Sequence, residues 1–216
     1  MTTAILRIHC DLHQQVVDLA STVEDISLGA LQALGSTDQD AAYRVILSAS
    51  AATARCIELE DQAVTMLTQR PLLCQDPGAP KLILELISDV RSICNHATAI
   101  ADIVFLDAPA LNPTVAPVIQ PIIQKVRWLV RCSAGLLARP DTLEAERIEE
   151  EHEALASLYQ AAQKDLFAAE AMEVEQRKIA ATLLWAIYHV ERIGDRAVRL
   201  ARNAVTVTTE AVNASA

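Results

Sequence analysis

The feature that most constrains this chain is a seam of apolar and small residues that occurs twice, one hundred residues apart. In the later copy Leu183, Ile187, Val190, Gly194, Ala197 and Ala201 alternate steps of four and three, the spacing that puts them on one stripe of a helix. Shifted by one hundred, the earlier copy reads Ile83, Ile87, Val90, Cys94, Ala97 and Ala101. Ile87 matches Ile187, Val90 matches Val190, Ile93 matches Ile193 and Ala97 matches Ala197. A repeat of this length has room for three helices, and three antiparallel helices form the smallest bundle that buries a stripe on every member. Each seam ends in small residues. Glycine inside a helix costs about 1 kcal/mol against alanine, so Gly194 needs a reason: close packing, or room for a ligand.

The remaining sequence agrees with helices. Breaks fall at Gly35-Ser36-Thr37-Asp38, Pro71 to Pro80, Asp107 to Pro113 and Ala138-Arg139-Pro140-Asp141, with a weaker one at Asp165 to Ala171. They leave six helical stretches near 4–35, 38–70, 80–106, 114–138, 141–168 and 172–206. No period-two alternation or Asn-Gly hairpin suggests a strand. Pro113, Pro117 and Pro121 recur about one turn apart, so the fourth helix is expected to begin late, near Pro121, or with a kinked first turn. The tail from Thr206 is expected to fray. The fold class is therefore all-α, two tandem three-helix bundles: residues 1–108, residues 109–206, and a flexible tail 207–216.

Composition narrows the function. Hydrophobic residues make up 52 % and aromatics only 3 %, so Ala, Leu, Ile and Val must form the core. A net charge of −10 argues against a nucleic-acid partner. No apolar run approaches the roughly 20 residues that span a bilayer, and the N-terminus does not read as a signal peptide. Five scattered cysteines, without C-x-x-C, suit buried reduced thiols and the cytoplasm. Nucleophile–base pairs and phosphate-cradling glycine loops are not legible.

The chemistry-bearing residues are carboxylates. Glu191 and Asp195 lie one turn apart beside the apolar seam, where like charges repel and burial is costly. Arg192 and Arg199 could compensate Asp195 locally; a metal ion held against a neighbouring helix is the functional alternative. The fifth stretch offers matching donors, with Glu149 and Glu153 one turn apart and His152 on the face of Glu149. Such an arrangement is the kind that di-metal bundles use, although an acidic run is also an ordinary solvated face. The first copy lacks it: Glu191 and Asp195 become Arg91 and Asn95, and Glu149 and Glu153 become Ala49 and Thr53. His96 reads as exposed or capping, and His9 and His13 as exposed.

Val190-Glu191-Arg192-Ile193-Gly194-Asp195-Arg196-Ala197, continued by Val198-Arg199-Leu200-Ala201, resembles the L-E-R-I-G-D-x-A-x-x-I-A motif of PhoU proteins. Val90 to Ala101 keeps Ile93, Ala97, Ile100 and Ala101 of it but not the acidic positions. Leu12 to Val45, with Leu31-Gln32-Ala33-Leu34 ahead of Asp38 and Asp40, is similar to the family's opening helix and turn. Arg70-Pro71 resembles the Gln-Pro that closes its second helix. The resemblance implies two three-helix repeats and multinuclear iron, zinc, manganese or magnesium on paired acidic motifs. Glu191 and Asp195 match that motif on the last helix; Glu149 and Glu153, with His152 between them, match its partner less closely, so one site at most, in the second half, is expected. It further implies a non-enzymatic adaptor between the ATPase subunit of the phosphate ABC transporter and a membrane sensor histidine kinase, and it allows a homodimer. The alternatives are a diverged regulator of another transporter or signalling system, and a di-metal oxidase on Glu149, His152, Glu191 and Asp195. The oxidase would need a second Glu-x-x-His, which the sequence does not supply.

Overall fold

The computed structural model describes residues 2–69, 78–111, 115–167 and 173–213. They form six helices and, among the described residues, no strand: α1 Thr2–Ser36, α2 Gln39–Gln69, α3 Gly78–Leu111, α4 Val115–Ala138, α5 Thr142–Phe167 and α6 Val174–Asn213. Helices α1, α2 and α3 pack on one another, as do α4, α5 and α6, and the bundles join through α3 against α6 and α1 against α4. A continuous apolar core runs through both, rich in small side chains such as Ala30, Ala97, Ala186 and Ala197. The all-α repeated architecture is thus observed. Among the described residues, no helix is long and apolar enough to cross a membrane.

Two of the expected breaks have visible causes. Thr37 takes a left-handed backbone (φ 53°) one residue past α1, where glycine is favoured, and the Asp38 amide reaches back to the Ala33 carbonyl at 3.1 Å. Asp38 then caps α2 by accepting the Ala41 amide at 2.9 Å. Asp141 does the same for α5, accepting the amides of Leu143 and Glu144 at 2.9 and 3.2 Å.

Elsewhere the helices outrun the sequence reading. The third was expected to stop before Asp107, yet α3 continues through Pro109 to Leu111. Proline has no amide to give the carbonyl four residues earlier. That carbonyl, on Phe105, instead accepts the Gln39 amide nitrogen Nε2 of α2 at 2.7 Å. Helix α4 begins at Val115 rather than near Pro121, which lies inside it. The expected frayed tail is helical through Asn213. Most of the break at 71–80, and Arg70-Pro71 with it, lies outside the described residues.

Gly194 has its reason in packing. A Cβ there would stand 3.0 Å from Leu155 Cδ2, 3.6 Å from Val126 Cγ2 and 3.7 Å from Leu129 Cδ1. The space beside this glycine is filled by α4 and α5. Cys56 and Cys94 are buried free thiols, and burial pushes the Cys56 thiol up to about 12. Cys132 is half-buried and also free.

Candidate functional site

Helices α5 and α6 run side by side, and the acidic motif lies along their contact. Asp195 on α6 meets His152 on α5, with Oδ1 2.9 Å from Nε2. Its other oxygen lies 3.0 Å from Arg192, which also approaches Glu191 at 3.5 Å. Burial raises the Asp195 carboxyl, but the His152 hydrogen bond and the Arg192 charge outweigh it and hold the group below its ordinary value. Glu149, one turn before His152, accepts a hydrogen bond from Arg202 Nε at 2.5 Å, and that bond lowers its carboxyl. Glu153 is exposed. Of the five expected ligands, only His152 and Asp195 touch each other.

Tyr159, two turns beyond His152, completes the surroundings. It is buried, and its hydroxyl has no hydrogen-bond partner among the described residues. Burial, then the charges of Glu191 and Asp195, push its ionisation well above the ordinary tyrosine value. It therefore stays a neutral phenol, a hydrogen-bond donor to oxygen and a poor metal ligand.

The first half builds the same place differently. Arg91, which stands where Glu191 would, bonds Glu60 of α2 at 2.6 Å. Thr53 Oγ1, standing where Glu153 would, is 3.7 Å from Cys94 Sγ.

A second polar cluster, unseen in the sequence reading, lies where α3 crosses α6. Asp89 is fully buried and faces three side chains of α6: Arg196 at 3.2 Å, Arg199 at 3.5 Å and Asn203 at 3.3 Å. Arg199, expected as a local partner of Asp195, turns here instead. Burial raises the Asp89 carboxyl, and the two guanidinium groups only partly oppose this. Seven residues on, His96 Nδ1 stands 3.0 Å from His189 Nδ1. His96 is thus half-buried and bonded across the seam, a correction to its expected exposure or capping role. His13 is half-buried too; the His9 side chain lies outside the description. Burial, then His189 and the nearby Arg196 and Arg192, push His96 down to about 4. Trp185 and Tyr188 border the imidazoles, ring centroids 4.8 and 5.3 Å from His189.

Residues 124–204 match the family model described as PhoU domain. The second bundle is thus similar to a PhoU domain. The fold of the chain is that of PhoU from Pseudomonas aeruginosa, with a TM-score of 0.81 at 17 % identity over 97 % of this chain and 100 % of that one. PhoU from Streptococcus pneumoniae gives a TM-score of 0.71 at 21 % identity, covering 95 % of this chain and 96 % of that one. Comparison with curated proteins finds no match. The family match lies in the second bundle and the structural likeness covers both, so the first half has the same fold without the acidic motif.

The multinuclear metal centre that the resemblance implies does not fit the side chains as they stand. Among the described residues no three His, Cys, Asp or Glu side chains gather as a metal site would need. Guanidinium groups hold Glu149, Glu191 and Asp195. The signal for the α3–α6 cluster was present in the sequence: Asp89 and His96, and likewise His189 and Arg196, stand seven apart, flanking Ile93 and Ile193 of the repeated seam.

Proposed function

We propose that this protein regulates phosphate uptake and phosphate-responsive signalling as a non-enzymatic adaptor. It would join the ATPase subunit of a phosphate ABC transporter to a membrane sensor histidine kinase, on the cytoplasmic face. The observation that carries this reading is the PhoU fold over 95 % or more of the chain, shared with a protein described as the phosphate transport system regulatory protein of Streptococcus pneumoniae. The chemistry agrees with an adaptor. Among the described residues no nucleophile is bonded to the His152–Asp195 pair, and Glu149 and Glu191 are engaged by arginine. A net charge of −10 favours protein partners over nucleic acid.

The test is deletion of the gene in cells grown with ample phosphate. Phosphate uptake and phosphate-responsive transcription should both rise, and the intact gene supplied in trans should restore them. Unchanged uptake and transcription would overturn this reading in favour of a diverged regulator of another transporter.

A further inference from the structure

We infer that the acidic motif of the second half is an ion-pair clamp that closes α5 onto α6, with arginine standing where a metal ion would, so that this bundle is built without metal. The phosphate-regulator reading does not depend on it. Three observations converge.

The first is charge. Arg202 of α6 holds Glu149 of α5, and within α6 Arg192 spans Glu191 and Asp195 at 3.5 and 3.0 Å, fixing the carboxylate that meets His152. Three of the four candidate carboxylates are thus already engaged by guanidinium groups, which weakens their pull on divalent ions.

The second is convergence. A metal centre needs several donors aimed at one point. Here His152 and Asp195 aim at each other, Glu149 aims at Arg202, and Glu153 is exposed. The buried Tyr159 hydroxyl beside them is a neutral donor that suits an oxygen rather than a cation.

The third is the repeat. In the first half Arg91 occupies the position of Glu191 and bonds Glu60 across α2 and α3 at 2.6 Å. Both halves therefore close the same helix pair with a guanidinium–carboxylate contact. The planar, permanently charged guanidinium suits it, because its fixed fork of donors can serve two carboxylate groups at once.

The experiment is elemental analysis of the full chain, followed by thermal unfolding with chelator and with added magnesium, manganese, zinc or ferrous ion. The expected result is metal far below one equivalent per chain and a melting temperature unmoved by chelator or metal. A native-state site occupied at one hundred times its dissociation constant would instead raise Tm by about 5–10 °C for a chain of this size. Arg202→Gln should lower Tm equally in chelator and in metal. Stoichiometric metal that Asp195→Asn loses, or a rise in Tm of that size that Asp195→Asn abolishes, would overturn the clamp. A rise that Asp195→Asn retains comes from elsewhere on the chain and leaves the clamp standing. Should either variant fail to fold, metal content and metal response of the unaltered protein decide the question alone.

Discussion

The two ends of the α3–α6 seam occupy equivalent places and are filled with opposite chemistry. Adding one hundred to Asp89 gives His189, and subtracting one hundred from Arg196 gives His96, so Asp89–Arg196 and His96–His189 are the same contact seen from the two halves. At one end a fully buried carboxylate draws two arginines and an asparagine from the other bundle. At the other, two imidazoles that burial keeps neutral share a hydrogen bond beside exposed aromatic rings. A repeated backbone therefore fixes where the halves must meet but not how the polar contact there is made. Buried charge demands a partner, whereas the neutral imidazoles make do with one shared hydrogen bond and leave His189 Nε2 buried without a partner among the described residues.

Breaking the charged end should have the largest effect. Asp89→Ala leaves Arg196 and Arg199 without their counter-charge and is expected to cost about 3 kcal/mol, at the low end for buried pairs because both arginines reach solvent. Urea unfolding measures it. His189→Ala strands no charge and should cost less; equal losses would erase the distinction between the ends.

The contrast sharpens if the charged pair is copied to the neutral end. His189→Asp alone buries an extra carboxylate, and His96→Arg alone adds a cation near Arg192 and Arg196. Together they recreate the Asp–Arg contact. A double-mutant cycle should show favourable coupling of about 2 kcal/mol. Additive losses would mean that the two ends are not equivalent in geometry.

Acidity should move the two ends in opposite directions. The folded-state values of His96 and His189 are depressed, so their contribution is full above the free imidazole value of 6.5 and is lost as pH falls. For His96 the fall runs from 6.5 to about 4 and should cost up to about 2 kcal/mol, allowing for partial exposure. Asp89 is raised, so its contribution is full below the ordinary carboxyl value of 3.8 and declines as pH rises above it. Unfolding followed from pH 7 to pH 4 should therefore show a loss that His96→Gln flattens. A loss undiminished in that variant would place the titrating group elsewhere.

The helices, their repeat and the breaks at Asp38 and Asp141 were legible because periodicity and turn residues are local signals. The extension of α3 past Pro109 was not, since the group that rescues the Phe105 carbonyl lies on Gln39, far away in sequence. The candidate site was half legible for the same kind of reason. Spacing placed Glu149 and His152 on one face of α5, and the structure brings His152 to Asp195. Spacing could not say that Arg202, on another helix, would hold Glu149, or that Arg199 would turn from Asp195 to Asp89. Charges sort themselves by tertiary distance, and short motifs record only the neighbours along one helix.

Joining the two bundles in one chain has a consequence for how such a protein can change. Were the halves separate identical molecules, each substitution would appear at both ends of their contact at once, and an aspartate gained at one would be forced on the other. With α3 and α6 on one chain the ends vary independently. One can carry an ion pair while the other keeps two histidines and an aromatic border, and neither has to be compatible with itself.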